Sequence, residues 1–458
     1  MKRFFCIPAV LAALALSLFA LPASAEIGLG QARGFVPHEL IVKVEGQPAK
    51  TVELRDGLGV GVAAQALNDK ARVEYAAPNY IATASATPVP FVLPNDPGNI
   101  GGPAEAASAP GDWTLKQWNF LPYEAAAGSK LTTSPGGIDV VGAWENLAAA
   151  GRPGGQGVTV AVLDTGIAYR NYETTLNQGL SFLRSPDFTA AQFVKGYDFV
   201  ENDRIPLDLN GHGTHVAGTI AEKTDNGIGL TGIAYRAKLM PVRVLDSQGR
   251  GDAAAIARGI RFAIANRAQV INMSFNFGCG KQVPGVNEAL REAANKGIVV
   301  VASAGNLGAE TCVSPPATGP RVIGVGGSTE GGCLGSYSLA GRGVDLLAPG
   351  GGTPIAGCPS ISARPIYQVT LKPTSSHEFG VPSNYVGTSM AAAHVSGAAA
   401  LVLASGLVKN KAGTKGRVDW VRRRLTGTAR SLGLTSLQQG HGLIDIAAAT
   451  SMRAARHR

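Results

Sequence analysis

The stretch Asn210-Gly211-His212-Gly213-Thr214-His215-Val216-Ala217-Gly218-Thr219 places a histidine at the start of a helix. Glycines on both sides of His212 allow a tight entry, and the small apolar residues that follow are typical of a buried helix. Two further stretches carry complementary chemistry: Val162-Leu163-Asp164-Thr165-Gly166 upstream and Gly387-Thr388-Ser389-Met390-Ala391 downstream. Together they supply an imidazole, a carboxylate and a hydroxyl.

These three groups suit nucleophilic catalysis. A serine hydroxyl is a poor nucleophile at neutral pH unless a base takes its proton and a third group orients that base. Ser389, His212 and Asp164 can take those roles in that order. Each also has a structural explanation by itself, as a helix N-cap, a satisfied histidine and a turn former, so the combination carries the prediction.

The flanking sequences give each group a suitable place. Residues 158–163 are apolar and β-branched, which predicts a buried strand that ends at Asp164, where open α/β sheets bind ligands. Ser389 opens a second helix, to about residue 404, whose Ala, Gly and Val content predicts burial on most faces. The first backbone N–H groups of that helix would point at anything formed beside Ser389.

The three motifs resemble the Asp, His and Ser motifs of the subtilisin-like serine peptidases, in the chain order of that family. A fourth segment, Val299-Val300-Val301-Ala302-Ser303-Ala304-Gly305-Asn306, resembles the strand and turn that present an Asn side chain to the oxyanion in the family. The resemblance implies that Asp164, His212, Ser389 and Asn306 are catalytic. The Ser389 N–H would be the second oxyanion donor.

The body of the chain alternates strand and helix patterns. A strand is expected at 238–245, a helix at 252–266 and a strand at 270–274, followed by segments 286–296, 298–302 and 322–325. This order predicts an α/β fold, with a mostly parallel central sheet and helices on both faces. A nucleotide-binding α/β protein is disfavoured because no GxGxxG motif opens a helix.

Residues 1–25 predict a signal peptide. Lys2 and Arg3 precede an apolar run over residues 4–21, and Ala23-Ser24-Ala25 offers a small-residue cleavage site. That ending favours cleavage over a membrane anchor. With 458 residues, 45% of them hydrophobic and 16% charged, the chain suffices for one large α/β domain and a smaller segment. We therefore expect a secreted protein, extracellular or periplasmic.

The net charge of +9 raises the possibility of nucleic-acid binding. The basic residues concentrate in 409–430 and 453–458, without interleaved aromatic residues. This pattern favours a solvated basic face, and no nucleic-acid partner is expected.

Four cysteines follow the leader, namely Cys279, Cys312, Cys333 and Cys358. An even number in an exported chain predicts two disulfides, with four free thiols as the alternative. Three connectivities are possible. Pairing of Cys279 with Cys312 and of Cys333 with Cys358 is favoured, because each pair brackets a surface excursion between core elements.

Residues 26–112 are interpreted as a pro-region and linker. A strand at 39–44, a short helix at 62–69 and a closing strand at 71–80 resemble the inhibitory propeptide of the family, which covers the site and templates folding. Residues 83–111, rich in Ala, Pro, Asn and Gly, are expected to be an exposed linker. Residues 113–458 would then form the catalytic domain.

Substrate binding is also implied by the resemblance. In the family an extended peptide pairs with two edge segments, which would lie here near 247–251 and 274–278. Ser274, Ser303 and Gly305 are the expected substrate-binding residues.

Two departures from the family pattern concern these regions. Phe275-Asn276-Phe277 stands where Leu-Gly-Gly is usual, which puts the pocket preference in doubt. Ala392-Ala393 stands where Thr-Pro or Ser-Pro is usual, which should alter only the helix geometry. Neither removes a reacting group.

Residues 224–230, Thr-Asp-Asn-Gly-Ile-Gly-Leu, resemble the calcium loop of the family. Hard oxygen ligands suit calcium. The resemblance implies a structural calcium site with the ligands Gln117, Asp187, Thr224, Asn226, Ile228 and Leu230. An Asp-Asn-Gly turn is also an ordinary surface loop, which is the alternative.

The resulting hypothesis is a secreted serine endopeptidase, made as a self-processing zymogen and acting as a monomer on protein substrates. It would carry its own pro-region as an intramolecular inhibitor and have no stable membrane anchor. The alternative is a catalytically silent member of the fold that serves as a binding or scaffold protein at the cell surface. His215 and His394 are expected to be structural histidines.

Overall fold

The computed structural model describes residues 35–55, 57–80, 92–100, 109–125, 131–173, 181–308, 312–408 and 414–451. The predicted signal peptide and most of the predicted linker lie outside these ranges. The chain divides into two compact units, Met1–Val89 and Pro90–Arg458. None of the helices in the described ranges has the length and apolar character needed to cross a membrane.

The first unit is a small α+β fold. Its elements are β1 (Phe35–Val44), β2 (Lys50–Glu53), α1 (Val60–Asn68) and β3 (Val73–Tyr80). The strands form an antiparallel sheet in the order β2-β1-β3. The buried residues of α1 are Val60, Ala63, Ala64 and Leu67, which follow the helical repeat and pack with Leu40 and Val42 of β1. The sequence did not predict β2, which is short and mostly exposed.

The second unit contains a seven-stranded sheet. Its strands are β4 (Thr159–Asp164), β7 (Tyr197–Asp198), β8 (Lys238–Arg243), β9 (Val270–Met273), β10 (Val299–Ser303), β11 (Val322–Ser328) and β12 (Leu346–Pro349). All neighbours pair in parallel, in the order β12-β11-β10-β9-β4-β8-β7. Two small antiparallel pairs flank it, β5 (Tyr172–Glu173) with β6 (Ser181–Phe182) and β13 (Thr370–Leu371) with β14 (Phe379–Gly380).

The helices of this unit are α2 (Trp113–Lys116), α3 (Val140–Ala149), α4 (His212–Ala221), α5 (Ala253–Ala265), α6 (Pro284–Asn295), α7 (Thr388–Ala404), α8 (Thr414–Gly427), α9 (Ser436–Gln439) and α10 (Ile446–Thr450). Short 3₁₀ turns occupy Trp118–Phe120, Pro153–Gly155 and Ala190–Gln192. Helix α7 is buried at every position except Leu403, so it is apolar or small on all sides, as the sequence predicts.

Helices α5 and α7 cover opposite faces of the sheet. In α5, a Cβ on Gly259 would lie 3.5 Å from the side chain of Leu163. From α7, Ser396 donates a hydrogen bond of 2.8 Å to Asn272, which pairs in register with Val162. Because successive strand residues point to opposite faces, the two helices lie on different sides. The predicted α/β class is confirmed.

The strand order also fixes where a site can form. The chain leaves β4 toward β8 and β7 on one side, and later builds β9 to β12 on the other. The order therefore reverses beside β4, and ligands of such sheets bind at the carboxyl ends of the strands next to that point. Asp164 is the last residue of β4.

The division between the units falls after residue 89, inside the segment interpreted as a linker. Residues 92–100 belong to the second unit, where the carboxylate of Asp96 is buried and accepts hydrogen bonds from the N–H groups of Asp225 and Asn226. This part of the predicted linker therefore packs against the second unit, because the side chain of Asp96 bonds to the backbone of the 224–230 loop.

Two disulfides are formed, Cys279–Cys312 and Cys333–Cys358, with sequence separations of 33 and 25. Both favoured pairings are confirmed. Each closes a connection between strands: the first joins the segments after β9 and β10, and the second joins those after β11 and β12.

Candidate active site

Asp164 is fixed in position because it ends strand β4 and accepts a hydrogen bond from the residue that follows it. The residue is fully buried, and its Oδ1 accepts the N–H of Thr165 at 2.8 Å. The same oxygen lies 2.7 Å from Nδ1 of His212. Among the described residues, Oδ2 has no hydrogen-bond partner.

His212 is the first residue of α4, and two glycines bring it close to β4. Gly211 caps the helix with φ of 97°, in the left-handed region that favours glycine. A Cβ on Gly213 would lie only 2.1 Å from the carbonyl oxygen of Gly166, so a side chain there would push α4 away from Asp164. The close packing of α4 against β4 thus requires the glycines on both sides of His212.

The imidazole of His212 lies in an electrostatic setting suited to a base. Burial lowers its pKa, but the charge and hydrogen bond of Asp164, with a contribution from the charge of Asp208, more than offset this, so the pKa is raised above its ordinary value. Its side chain is one quarter exposed. Asp164 therefore favours the protonated ring and orients it through Nδ1, which leaves Nε2 available for proton transfer.

Ser389 is the second residue of α7 and is 9% exposed. Its hydroxyl donates to the carbonyl of Ser274 at 2.9 Å, while the hydroxyl of Ser274 donates to the carbonyl of Ser389 at 2.8 Å. Asn272 in turn donates to the hydroxyl of Ser274. This reciprocal pair fixes the start of α7 against the end of β9.

The residues expected to form the triad thus come together only in part. The link between Asp164 and His212 is made, whereas the hydrogen bonds of the described residues do not include one between His212 and Ser389. Helix α4 nevertheless contacts the segment that leads into α7. Tyr385, four residues before Ser389, stacks on His215, three residues after His212, with ring centroids 4.0 Å apart.

Asn306 lies in the turn after β10 and is exposed. Its Oδ1 accepts both the N–H of Thr388 at 2.9 Å and the hydroxyl of Thr388 at 2.8 Å. A backbone N–H requires an oxygen acceptor, so these contacts assign the amide orientation. The NH₂ group of Asn306 is left as an outward donor beside the residue that precedes Ser389.

The expected substrate-binding residues frame the same region. Ser303 ends β10, and its hydroxyl donates to the carbonyl of Phe275 at 3.3 Å. Gly305 has φ of 116° and donates its N–H to the hydroxyl of Thr388. Ser274 contacts Ser389 directly. Ser303 thus joins the end of β10 to the turn after β9, whereas Ser274 and Gly305 bond to the start of α7.

The expected calcium ligands are only partly assembled. Asp187 is buried, and its two carboxylate oxygens accept the amide of Asn226 and the N–H of Leu230, each at 2.8 Å. The other two residues expected from this loop, Thr224 and Ile228, lie in the same 224–230 segment. The described residues include no cluster of three or more His, Cys, Asp or Glu side chains that could hold a metal ion.

Gln117 does not fit its expected place among these ligands. Its side-chain oxygen accepts both the N–H and the hydroxyl of Thr231, and its amide group donates to the carbonyl of Thr231. Both lone pairs of that oxygen are therefore used. Through these hydrogen bonds the buried side chain of Gln117 stabilises the segment that follows the loop.

Two buried carboxylates near this loop were missed by the sequence analysis. Asp96 bonds the loop backbone, and its charge raises the pKa of Asp187, although burial of Asp187 itself is the larger cause. Glu222 is fully buried at the end of α4, and neither carboxylate oxygen makes a hydrogen bond of ordinary geometry within the described residues. The sequence signal for Asp96 was weak, since Asn95-Asp96-Pro97 reads as a turn.

The two further histidines have structural partners, as expected. His215 lies against the carbonyl of Ile366 at 3.0 Å, and burial lowers its pKa to about 3. His394 contacts Asn119 and the carbonyl of Met390, and burial lowers its pKa to about 4. Both are therefore neutral at physiological pH and unsuited to binding protons there.

Comparison with known proteins agrees with this architecture. The model of the subtilase family matches residues 155–442. The chain is 32% identical to a thermophilic serine proteinase of Bacillus sp. (strain AK1), over 80% of this chain and 71% of the relative, and 36% identical to subtilisin BL of Lederbergia lenta, over 65% and 91%. It is 34% identical to thermitase of Thermoactinomyces vulgaris, over 60% of this chain and 84% of thermitase.

A solved structure gives the same result. A protease from Pseudoalteromonas arctica PAMC 21717 superposes with a TM-score of 0.58 at 30% identity, covering 78% of this chain and 99% of that protease. The family match spans the segments that carry Asp164, His212, Asn306 and Ser389. The chain therefore belongs to the subtilase family and is a subtilisin-like serine endopeptidase.

Proposed function

We propose that Ser389 attacks the scissile carbonyl of a peptide substrate and forms an acyl-enzyme. His212 takes the proton of the serine hydroxyl and passes it to the leaving amine, and water then releases the acyl group by the reverse sequence. Asp164 orients His212 and stabilises its protonated ring. The contact of 2.7 Å between Asp164 and Nδ1 of His212 is the observation that carries this proposal.

In this structure the hydroxyl of Ser389 is bonded to the carbonyl of Ser274. Catalysis requires this hydroxyl to leave that carbonyl and donate to His212. Catalytic hydrogen bonds are often long or absent before substrate binds and form in the substrate complex. The contact of Ser389 with Ser274 thus accounts for the missing hydrogen bond between Ser389 and His212.

The oxyanion of the tetrahedral intermediate would be bound by Asn306 and by the N–H of Ser389. Thr388 holds the oxygen of Asn306, so the NH₂ group is oriented before the reaction. The N–H of Ser389 belongs to the first turn of α7, where backbone donors lack partners within the helix. Fixed donors of this kind stabilise developing charge without reorganisation.

A fluorophosphonate probe tests the assignment of the nucleophile. The processed wild-type protein should be labelled on Ser389, whereas Ser389→Ala and His212→Ala should not react. Ser436→Ala serves as the control, because Ser436 is an exposed serine at the start of α9 with no part in the proposed chemistry. If a folded, processed sample took up no label, the alternative of a silent scaffold protein would be favoured.

The proposal also includes export of the protein and inhibition by its own pro-region. Residues 1–25 would direct export, and the two disulfides suit an oxidising compartment outside the cytoplasm. Residues 26–112 would be the inhibitory pro-region and its linker, and the small apolar core around Leu40 and Leu67 supports the folding of the pro-region as a separate element.

A structural calcium ion is proposed at the 224–230 loop. The site would draw on the carboxylate of Asp187, the side-chain oxygen of Asn226 and the carbonyls of Thr224, Ile228 and Leu230, with Asp96 close by. Burial raises the pKa of Asp187 and Asp96, so a bound cation would favour their ionised forms. Glu222 is fully buried close to this region, and its burial raises the pKa of its carboxyl group well above the ordinary value. These oxygen-rich surroundings fit calcium, which would stabilise the loop.

A further inference from the structure

Asp208 lies just before α4 and is buried, with only 1% of its surface exposed. Its Oδ1 accepts the hydroxyl of Thr165 and the N–H groups of Asn210 and Gly211, each at 2.9 Å. Its Oδ2 accepts the N–H of Thr214 at 2.9 Å and the hydroxyl of Thr214 at 2.7 Å. Five donors therefore converge on one carboxylate.

The two hydroxyls have a defined direction. Thr165 Oγ1 accepts the N–H of Gly213, and Thr214 Oγ1 accepts the N–H of Ala168, each at 2.9 Å. Each hydroxyl can therefore donate its own proton to Asp208. An acceptor surrounded by donors alone is a carboxylate in its ionised form.

This network joins the segment that carries Asp164 to the segment that carries the proposed base, His212. Thr165 follows Asp164 and donates its N–H to the Asp164 carboxylate, while its hydroxyl bonds to Asp208. Asp208 accepts hydrogen bonds from Gly211, which precedes His212, and from Thr214, which lies two positions after it. Asp208 thus lies between the end of β4 and the first turn of α4.

We propose that Asp208 is a positioning residue that sets His212 at its working distance from Asp164 and adds a second buried negative charge beside the imidazole. This inference rests on the proposed catalytic roles of Asp164, His212 and Ser389. Asp208 acts through His212 and has no contact with the reacting atoms, so its effect should be seen on kcat and on the titration of His212.

The charged groups around His212 make the expected sign clear. Asp164 at the end of β4 and Asp208 in the loop before α4 both favour the protonated imidazole. His215 on α4 is neutral, and Tyr385, from the segment before α7, is also neutral because burial raises its pKa above the ordinary range of tyrosine. Removing the charge of Asp208 should therefore lower the pKa of His212, and the acidic limb of the kcat/KM profile should move to lower pH.

The test is Asp208→Asn, compared with Asp203→Asn as a matched control. Asp203 lies in the same loop but is exposed. We expect Asp208→Asn to lower kcat by about 10²-fold, the effect of a misplacement near 1 Å, with little change in KM and with the acidic midpoint shifted downward. Asp203→Asn should match the wild-type protein in all three quantities.

A second pair of variants keeps the carboxylate and removes one of its donors. Thr214→Val should lower kcat without moving the acidic midpoint downward, and Thr214→Ser should restore kcat because it retains the hydroxyl. These variants decide the question if Asp208→Asn does not fold, as judged by thermal unfolding.

An Asp208→Asn enzyme with wild-type kcat and an unmoved acidic midpoint would overturn the inference, and so would Thr214→Val with unchanged kcat. A fall in kcat at every pH with the midpoint unmoved would reduce Asp208 to a structural role. Ser389→Ala and His212→Ala separate the two proposals. If either retained full activity the proposed function would be wrong, whereas their inactivity beside a normal Asp208→Asn would reject only the role of Asp208.

Discussion

The amide of Asn306 shows how much of the site depends on single polar contacts. Its oxygen is held twice by Thr388, and the hydroxyl of Thr388 is held in turn by the N–H of Gly305. The orientation of the NH₂ group therefore depends on the side chain of Thr388 and on the backbone of Gly305. This arrangement leads to two predictions of different magnitude.

Asn306→Ala should lower kcat by roughly 10²- to 10³-fold, a magnitude known from another member of this family. The reason is that the oxyanion loses its side-chain donor while the nucleophile and base are kept. Steady-state kinetics on a peptide substrate measures this, and KM should change little because the interaction strengthens in the transition state. A fall confined to KM would contradict the proposed role.

Thr388→Val should have a smaller effect on kcat, about two- to tenfold, which is the worth of one hydrogen bond. Valine keeps the shape of threonine but cannot donate to Asn306, although the N–H of residue 388 still does. Thr388→Ser is the matched control and should retain most of kcat. Equal losses in the valine and serine variants would show that the hydroxyl is not responsible.

Single residues also mark the limit of prediction from sequence. Asp164, His212, Ser389 and Asn306 could be predicted because each lies in a short motif at a strand end or helix start. The bond from Ser389 to Ser274 could not, since the torsion of one side chain leaves no pattern in the sequence. Neither could the tie between Asp96 and the 225–226 backbone, which joins residues 130 positions apart.

At the level of elements, continuous runs of apolar and small residues explain what the sequence could predict. Strand β4 and helix α7 consist mostly of such residues, and both were predicted to within one or two residues. The small pairs β5 with β6 and β13 with β14 contain two residues per strand, too few for any alternation to register. Such pairs form because tertiary contacts bring the strands together.

The disulfide between Cys333 and Cys358 provides a test at this level. It closes 25 residues that connect β11 to the region beyond β12. Replacing both cysteines with serine should lower the free energy of unfolding by about 3 to 4 kcal/mol from the chain-entropy relation, and Tm should fall by several degrees. Differential scanning calorimetry measures the change.

The Cys279→Ser/Cys312→Ser double variant is the matched control for this estimate. Its loop of 33 residues is only slightly longer, so its loss should be similar. Adding a reductant should lower Tm of the wild-type protein more than that of either double variant. A Tm unaffected by removal of Cys333 and Cys358 would contradict the prediction.

At the scale of the whole molecule, polar contacts join residues 92–100 to the 224–230 loop. These contacts add to the stability that the hydrophobic core provides. Tm should therefore be higher with excess calcium than with a chelator, since a ligand that binds only the folded state stabilises it. Asp187→Asn should shrink the difference in Tm between the two conditions. Glu288→Gln, which removes an exposed carboxylate elsewhere, should leave that difference unchanged.

A Tm that is equal in calcium and in chelator would reject the calcium site. An Asp187→Asn variant with the full calcium effect would instead place the ion away from Asp187. Asp96→Asn extends the test to the carboxylate that the sequence analysis missed. If this variant alone lost the calcium effect, the ion would depend on residues 92–100 more than on the loop.

The proposed maturation would involve the whole chain, because the first unit would be removed by the peptidase activity of the second. If the enzyme processes itself, Ser389→Ala should accumulate at full length after removal of the leader, whereas the wild-type protein should be shortened by release of most of the first unit. Expression in a protease-deficient host, followed by mass measurement, distinguishes these products. Asn306→Ala should mature slowly and completely, since it keeps the nucleophile and loses only one oxyanion donor. A Ser389→Ala protein that matured at the normal rate in that host would assign the cut to another enzyme, and the first unit would then be a separately removed segment.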